Sequence, residues 1–319
     1  MFEFRLSRKA EAAIAIAHAT LSAMLAFADQ CPRCGSAWDV RQELVGKPAS
    51  DFNSCAFRCL PCGLGFSNAK SPQSRVPITA SPELNVPAQV RPGLTEALAG
   101  AINVHNRPVK AVKFCSGRSE DAVTWTMVGG LRTTGALGAL AGQPHLPPPE
   151  ALLLWGHPVD GPRAQEMHEA LVTVSDGLGE HPDRRSEPDV IALWPDLLVF
   201  VEAKHGSAND SQPGYAGYNT YLPAPGLFTA GDEQVRDEGS YQLTRNWVIG
   251  AALAEQLDVT FRLVNLGPAG IGSQTAGFAA LLNQSPQKGF EHRTWQQLLE
   301  ADTPPAWLED YAKAHKLLA

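Results

Sequence analysis

Apolar positions are spread unevenly along this chain, and their sharpest pattern lies in SEPDVIALWPDLLVFVEAKHGSAND, Ser186 to Asp210. Val190–Trp194 and Leu197–Val201 are rich in β-branched, aromatic and Leu residues, and Pro195 and Asp196 between them are turn formers, so the pattern predicts a β-hairpin. Neither run alternates with polar residues, which predicts strands buried on both faces. A turn centred on Pro195 and Asp196 sets Asp189 across from Glu202. Pro cannot take the positive φ of the tightest hairpin turns, so a register shift of one residue stays open. Side chains alternate along a strand, which puts Glu202 and Lys204 on one face and His205 on the other.

The same reading extends to the flanks. "SANDSQPGYAGYNTYLPAPG" is a loop by composition, with Tyr215, Tyr218 and Tyr221 at every third position. A helix is expected from about Glu233 to Leu257, with Gln242, Arg245 and Asn246 on one face, and Val259–Gly267 reads as the next strand. Upstream, Ser119 can cap a helix whose first turn carries Glu120 and Asp121, and Leu94–Ile102 reads as a short helix. Residues 71–93 hold five prolines in 23 positions, the composition of an extended linker. Ile14, Leu21, Leu25 and Ala28 recur at helical spacing, so residues 1–30 read as a helix. Arg8 and Lys9 ahead of the run, and its "AFAD" end, look superficially like a signal peptide, but Glu11 and His18 interrupt it.

With 319 residues and 44% apolar composition, two globular domains are expected. The net charge of −7 is unevenly distributed: Met1 to Arg118 carries 14 Lys and Arg against 8 Asp and Glu, leaving net −13 for the rest. A basic N-terminal part suits phosphate contact, and an acidic remainder suits cations. Cysteine divides the chain the same way. "CPRCG" supplies Cys31 and Cys34, "CLPCG" supplies Cys59 and Cys62, and 24 residues separate the pairs. Each C-x-x-C-G turn can face two thiolates to one tetrahedral ion, which resembles a zinc ribbon over residues 31–70. Two disulfides, a rubredoxin-like iron site or an iron–sulfur cluster remain alternatives. Cys55 and Cys115 read as free thiols in a reducing, cytoplasmic setting, with Cys55, four residues before Cys59, as the alternative register of the second pair.

Two carboxylates facing each other across a ladder need positive charge between them. Lys204 beside Glu202 and a hard divalent ion such as Mg2+ both meet that need, and Mg2+ takes one or two carboxylates while leaving sites for water and phosphate. Pro188-Asp189, twelve residues, then Glu202-Ala203-Lys204 resembles the PD-(D/E)xK signature of the restriction-endonuclease-like nuclease superfamily. The resemblance spans about Phe114 to Pro268. It implies an α/β fold with a mixed β-sheet core flanked by helices, here residues 94–319, preceded by the small zinc-ribbon domain. It implies that Asp189, Glu202 and the Ala203 carbonyl bind catalytic Mg2+ or Mn2+, and that Lys204 acts on the attacking water. It also implies a Glu on the first core helix, which Glu120 fits by order, and a Gln on the helix after the Lys strand, which Gln242 fits; Arg245 joins it as a contact to the site or the scissile phosphate.

The function so implied is metal-dependent endonuclease cleavage of DNA, double-stranded by preference, in bacterial restriction or anti-phage defence, as a homodimer or with defence-system partners and without a membrane. The rival is a zinc-ribbon nucleic-acid-binding or adaptor protein with an inactive nuclease core. A P-loop, a G-x-S-x-G elbow, a coiled coil and internal repeats are absent from the sequence.

Overall fold

The computed structural model describes residues 30–71, 74–209, 211–301 and 303–318. The expected N-terminal helix, including Ala12 to Ala28, lies outside them. The chain forms two compact units: Met1–Thr95 with Pro108–Gly130 and Pro304–Ala319, and Glu96–Arg107 with Leu131–Thr303.

The first unit carries an antiparallel sheet in the order β1-β2-β3-β4, formed by β1 (Asp39–Val40), β2 (Phe57–Cys59), β3 (Leu64–Phe66) and β4 (Pro77–Thr79). Its small core is Cys31, Cys59, Leu64 and Phe66, with Trp38 edge-on to Phe66 at 5.7 Å. In the segment read as a linker, residues 74–93 are not free. β4 pairs with β3, and on its other side Thr79 N–H donates to the Cys115 carbonyl and Gly117 N–H to that of Pro77. The prolines permit this because Pro77 opens the strand, where its missing N–H removes no ladder bond from the interior. Further along, Asn85 donates to the Phe114 and Ser116 carbonyls and Trp125 to that of Val90.

Among the described residues four helices belong wholly or partly to this unit: α1 (Leu94–Gly100), α2 (Arg107–Phe114), α3 (Glu120–Thr134) and, near the C-terminus, Ala306–Ala314. Ser119 caps α3 as expected, its hydroxyl accepting from Ala122 N–H at 3.2 Å.

The second unit is built on a mixed six-stranded sheet, β10-β9-β8-β7-β5-β6. Its strands are β5 (Ala151–Leu154), β6 (His157–Asp160), β7 (Val190–Trp194), β8 (Leu197–Ala203), β9 (Thr260–Gly267) and β10 (Lys288–Thr294). β8, β9 and β10 run parallel, whereas β8-β7-β5-β6 alternate. The hairpin has the register read from the sequence: Val190 pairs with Val201 and Trp194 with Leu197, so Pro195 and Asp196 are the turn. Neither turn residue has positive φ.

Helices α4 (Ala164–Gly177) and α6 (Tyr241–Leu257) pack on the sheet face formed by Ile191, Leu193, Leu198, Phe200, Phe261 and Leu263. The helix expected from Glu233 to Leu257 is two helices. α5 (Asp232–Glu238) ends at Gly239, whose φ of 82° no helix continues through, and α6 starts after it. Helices α7 (Gly272–Leu281), α8 (Trp295–Glu300) and α9, the C-terminal Ala306–Ala314, complete the set among the described residues. No helix among them is long and apolar enough to cross a membrane.

Candidate metal centre and candidate active site

In the first unit the two C-x-x-C-G turns bring four thiols together. Gly35 and Gly63 sit at φ 72° and 67°, left-handed values that let each turn close, with Gly35 N–H on the Cys31 carbonyl and Gly63 N–H on that of Cys59. The ligand atoms of Cys31, Cys34, Cys59 and Cys62 all lie within 4.8 Å of one another, with Cys31–Cys62 at 3.5 Å and Cys34–Cys59 at 3.3 Å. A tetrahedral zinc with sulfur bonds of about 2.3 Å sets its sulfurs about 3.8 Å apart, so the cluster fits one ion closely.

All six cysteines are free. Ser36 draws the Cys34 thiol down to about 6, mainly through its hydroxyl, while burial pushes Cys59 and Cys62 up. Burial opposes ionisation unless a cation supplies the countercharge. Cys55 stands outside the cluster: it is fully buried, its thiol meets the Asp51 carbonyl, and burial pushes it up to about 12.

In the second unit the sheet alternation decides which side chains meet. Glu202 and Lys204 continue the face of Leu198 and Phe200, which α6 covers, and they reach the first turns of that helix. Lys204 Nζ donates to Glu202 Oε1 at 2.8 Å and to Gln242 Oε1 at 3.1 Å, and Asn246 Nδ2 donates to Glu202 Oε2 at 2.8 Å. Glu202 is 2% exposed and Lys204 4%. Burial works against the Arg245 charge, but Glu202, Tyr221, Tyr241 and Glu180 outweigh it and hold the guanidinium above its ordinary value.

Asp189 enters from the other strand. Its Oδ2 accepts from the Ala203 N–H at 2.8 Å. The reason lies in the ladder. Lys204 N–H bonds the Leu266 carbonyl on β9, so alternation turns Ala203 towards β7. There the register, extended two residues past Val190–Val201, would pair Ala203 with Pro188, which has no N–H to offer. The Asp189 carboxylate takes the Ala203 N–H in place of a ladder carbonyl, and the missing Pro188 N–H leaves the Ala203 carbonyl at that edge without a ladder donor. Behind the strand end, Trp295 donates to the Lys204 carbonyl and Asn265 to that of Glu202.

No family model, curated protein or solved structure matches this chain.

The structure thus gathers Asp189, Glu202, Ala203, Lys204 and Gln242 in one unit, with Arg245 and Asn246 beside them. Glu120 opens α3 in the first unit and is described with it. Of the loop tyrosines, Tyr218 and Tyr221 are buried and Tyr215 is half exposed, and all three rings surround Tyr241. Sequence reasoning missed Glu180, Ser186, Asn265 and Trp295. Glu180 and Ser186 lie in the polar segment 180–189, where nothing singles them out, and Asn265 and Trp295 stand singly; each reaches its partner only through the fold.

Proposed function

We propose that the second unit is a metal-dependent DNA endonuclease of the PD-(D/E)xK kind, and that the first unit is a zinc ribbon that holds nucleic acid. What supports the reading most is the convergence at one strand end of Asp189, the Ala203 edge and the buried Glu202–Lys204 pair. Asp189, Glu202 and the Ala203 carbonyl are oxygen donors of the class that Mg2+ and Mn2+ prefer, and Pro188 leaves that carbonyl without a ladder donor. Such an ion supplies charge for the scissile phosphate and acidifies bound water.

The chain's own residues do the rest. Lys204, oriented by Glu202 and Gln242, aligns the water or stabilises the charge that develops on the phosphate. Asn246 fixes the Glu202 carboxylate. Arg245 offers a permanent cation to the phosphate. Double-stranded DNA, a homodimer or defence-system partners, and a role in restriction or anti-phage defence follow from the resemblance. A cytoplasmic setting agrees with six reduced thiols.

A second reading, a nucleic-acid-binding or adaptor protein with an inactive core, is favoured by the depth at which Glu202 and Lys204 are buried and paired. Supercoiled plasmid, linear duplex, single-stranded DNA and RNA, each incubated with Mg2+, Mn2+ or chelator, separate the two. Cation-dependent cutting of DNA supports the nuclease. Binding without cutting of any substrate establishes the second reading in its place.

A further inference from the structure

Glu180 is a buried carboxylate that the proposed chemistry leaves unused. Gly179, at φ 82°, turns the chain after α4, and Glu180 N–H returns to the Ser175 carbonyl. The side chain is 8% exposed. One oxygen accepts from the Ser186 backbone N–H at 2.9 Å. The other accepts from the hydroxyls of Ser186 and Tyr221, which also meet each other at 2.8 Å.

Ser186 lies three residues before Asp189, and Pro188 between them fixes φ, so an anchor at Ser186 is transmitted to Asp189 with little slack. Tyr221 comes from the loop after Lys204. Segment 186–189 and that loop are therefore tied to one carboxylate.

The hydrogen bonds explain why this group is an acid. Both oxygens accept, and an amide has a single acceptor oxygen, so a Gln could take the two hydroxyls only by turning its NH2 towards the Ser186 N–H.

We propose that Glu180 is a positioning residue that, through Ser186, holds Asp189 at the Ala203 edge so that Asp189 and Glu202 take up a divalent cation. This inference rests on the nuclease reading. The test is Mn2+ affinity of the full chain without nucleic acid, followed by the electron paramagnetic resonance of free Mn2+, with folding checked by circular dichroism.

Wild type should bind an ion that Asp189→Asn abolishes, and Glu180→Gln should weaken it about tenfold, as loss of an outer partner of a metal ligand typically does. Tyr221→Phe removes one donor and leaves both carboxylate oxygens on Ser186, so its affinity should stay within about twofold, less than one net hydrogen bond is worth. If Glu180→Gln does not fold, Ser186→Ala replaces it, with an expected loss of about threefold from one hydrogen bond. Unchanged affinity in Glu180→Gln, or in Ser186→Ala where that is the probe, overturns the inference alone. Equal weakening in Tyr221→Phe also overturns it, since packing would then suffice. If Asp189→Asn changes nothing because wild type binds no ion there, the nuclease reading falls with it.

Discussion

Replacing Lys204 by Met keeps most of the aliphatic stem and removes the charge that Glu202 faces. The pair is 2.8 Å apart, with side-chain exposures of 5% and 3%, so water screens it little. At an effective dielectric of about 20 the bare attraction at that distance is about 6 kcal/mol, much of it cancelled by the desolvation of both groups. Removing one partner of a buried pair commonly costs about 3–5 kcal/mol, because the other charge is left uncompensated. Glu202 keeps the Asn246 hydrogen bond and the attraction of Arg245, which places the expected loss at the low end, about 3 kcal/mol.

For a unit of this size that loss lowers the melting midpoint by about 6–12 °C. Urea unfolding followed by tryptophan fluorescence measures it, since Trp155, Trp194, Trp247 and Trp295 are all buried in the second unit. The double variant Glu202→Gln with Lys204→Met should lose less than the sum of the single losses, by more than about 1 kcal/mol, because neither charge then stands alone. A loss below about 0.5 kcal/mol for Lys204→Met, the ordinary range of surface substitutions, with additive behaviour in the double variant, would refute the buried-pair reasoning.

Three further outcomes are expected. Metal analysis of the purified chain should find about one zinc, retained in Cys55→Ala and lost in Cys59→Ser with Cys62→Ser, whose first unit should then lose its fold; zinc loss in Cys55→Ala would instead assign a ligand to Cys55. Burial, followed by the nearby His168, lowers the His157 pKa, so the neutral ring contributes stability that is present above its unfolded value of about 6.5 and is lost as the pH falls through its folded value. Between pH 7.5 and 5.5 the urea midpoint should fall more in wild type than in His157→Gln, and equal slopes would remove His157 from the acid response. Gly250→Ala should cost about 1–3 kcal/mol, because the new methyl on α6 would run into the Phe261 ring on β9, and a wild-type midpoint would show that the ring can yield.

Much of the second unit's centre was legible because its determinants are local. Two apolar runs around Pro195-Asp196 fix a register, the register brings Asp189 to the strand end that carries Glu202, and period-two alternation puts Glu202 and Lys204 on one face, whereas the Asp189 bond to the Ala203 N–H shows only in the fold. The C-x-x-C-G turns were legible for the same reason, since Gly35 and Gly63 answer a local need for positive φ. Errors arose where local signals competed with the fold. Five prolines read as a linker, yet Pro77 opens an edge strand, and the apolar rhythm of residues 233–257 concealed the break at Gly239. Glu180 left no trace in the sequence, because its meeting with Ser186 and Tyr221 depends on the path of two loops.

Single-turnover cleavage of a duplex DNA with Mg2+ tests the central claim most directly, comparing wild type with Asp189→Asn and Lys204→Met at a temperature where circular dichroism shows all three folded. The expected result is cutting by wild type that chelator abolishes, and a loss of about a hundredfold or more in each variant with DNA affinity retained, the scale on which one electrostatic or proton-handling group acts in catalysis. Wild-type cutting rates in Lys204→Met would contradict it, and would make the Lys204–Glu202 pair a structural feature of the strand end.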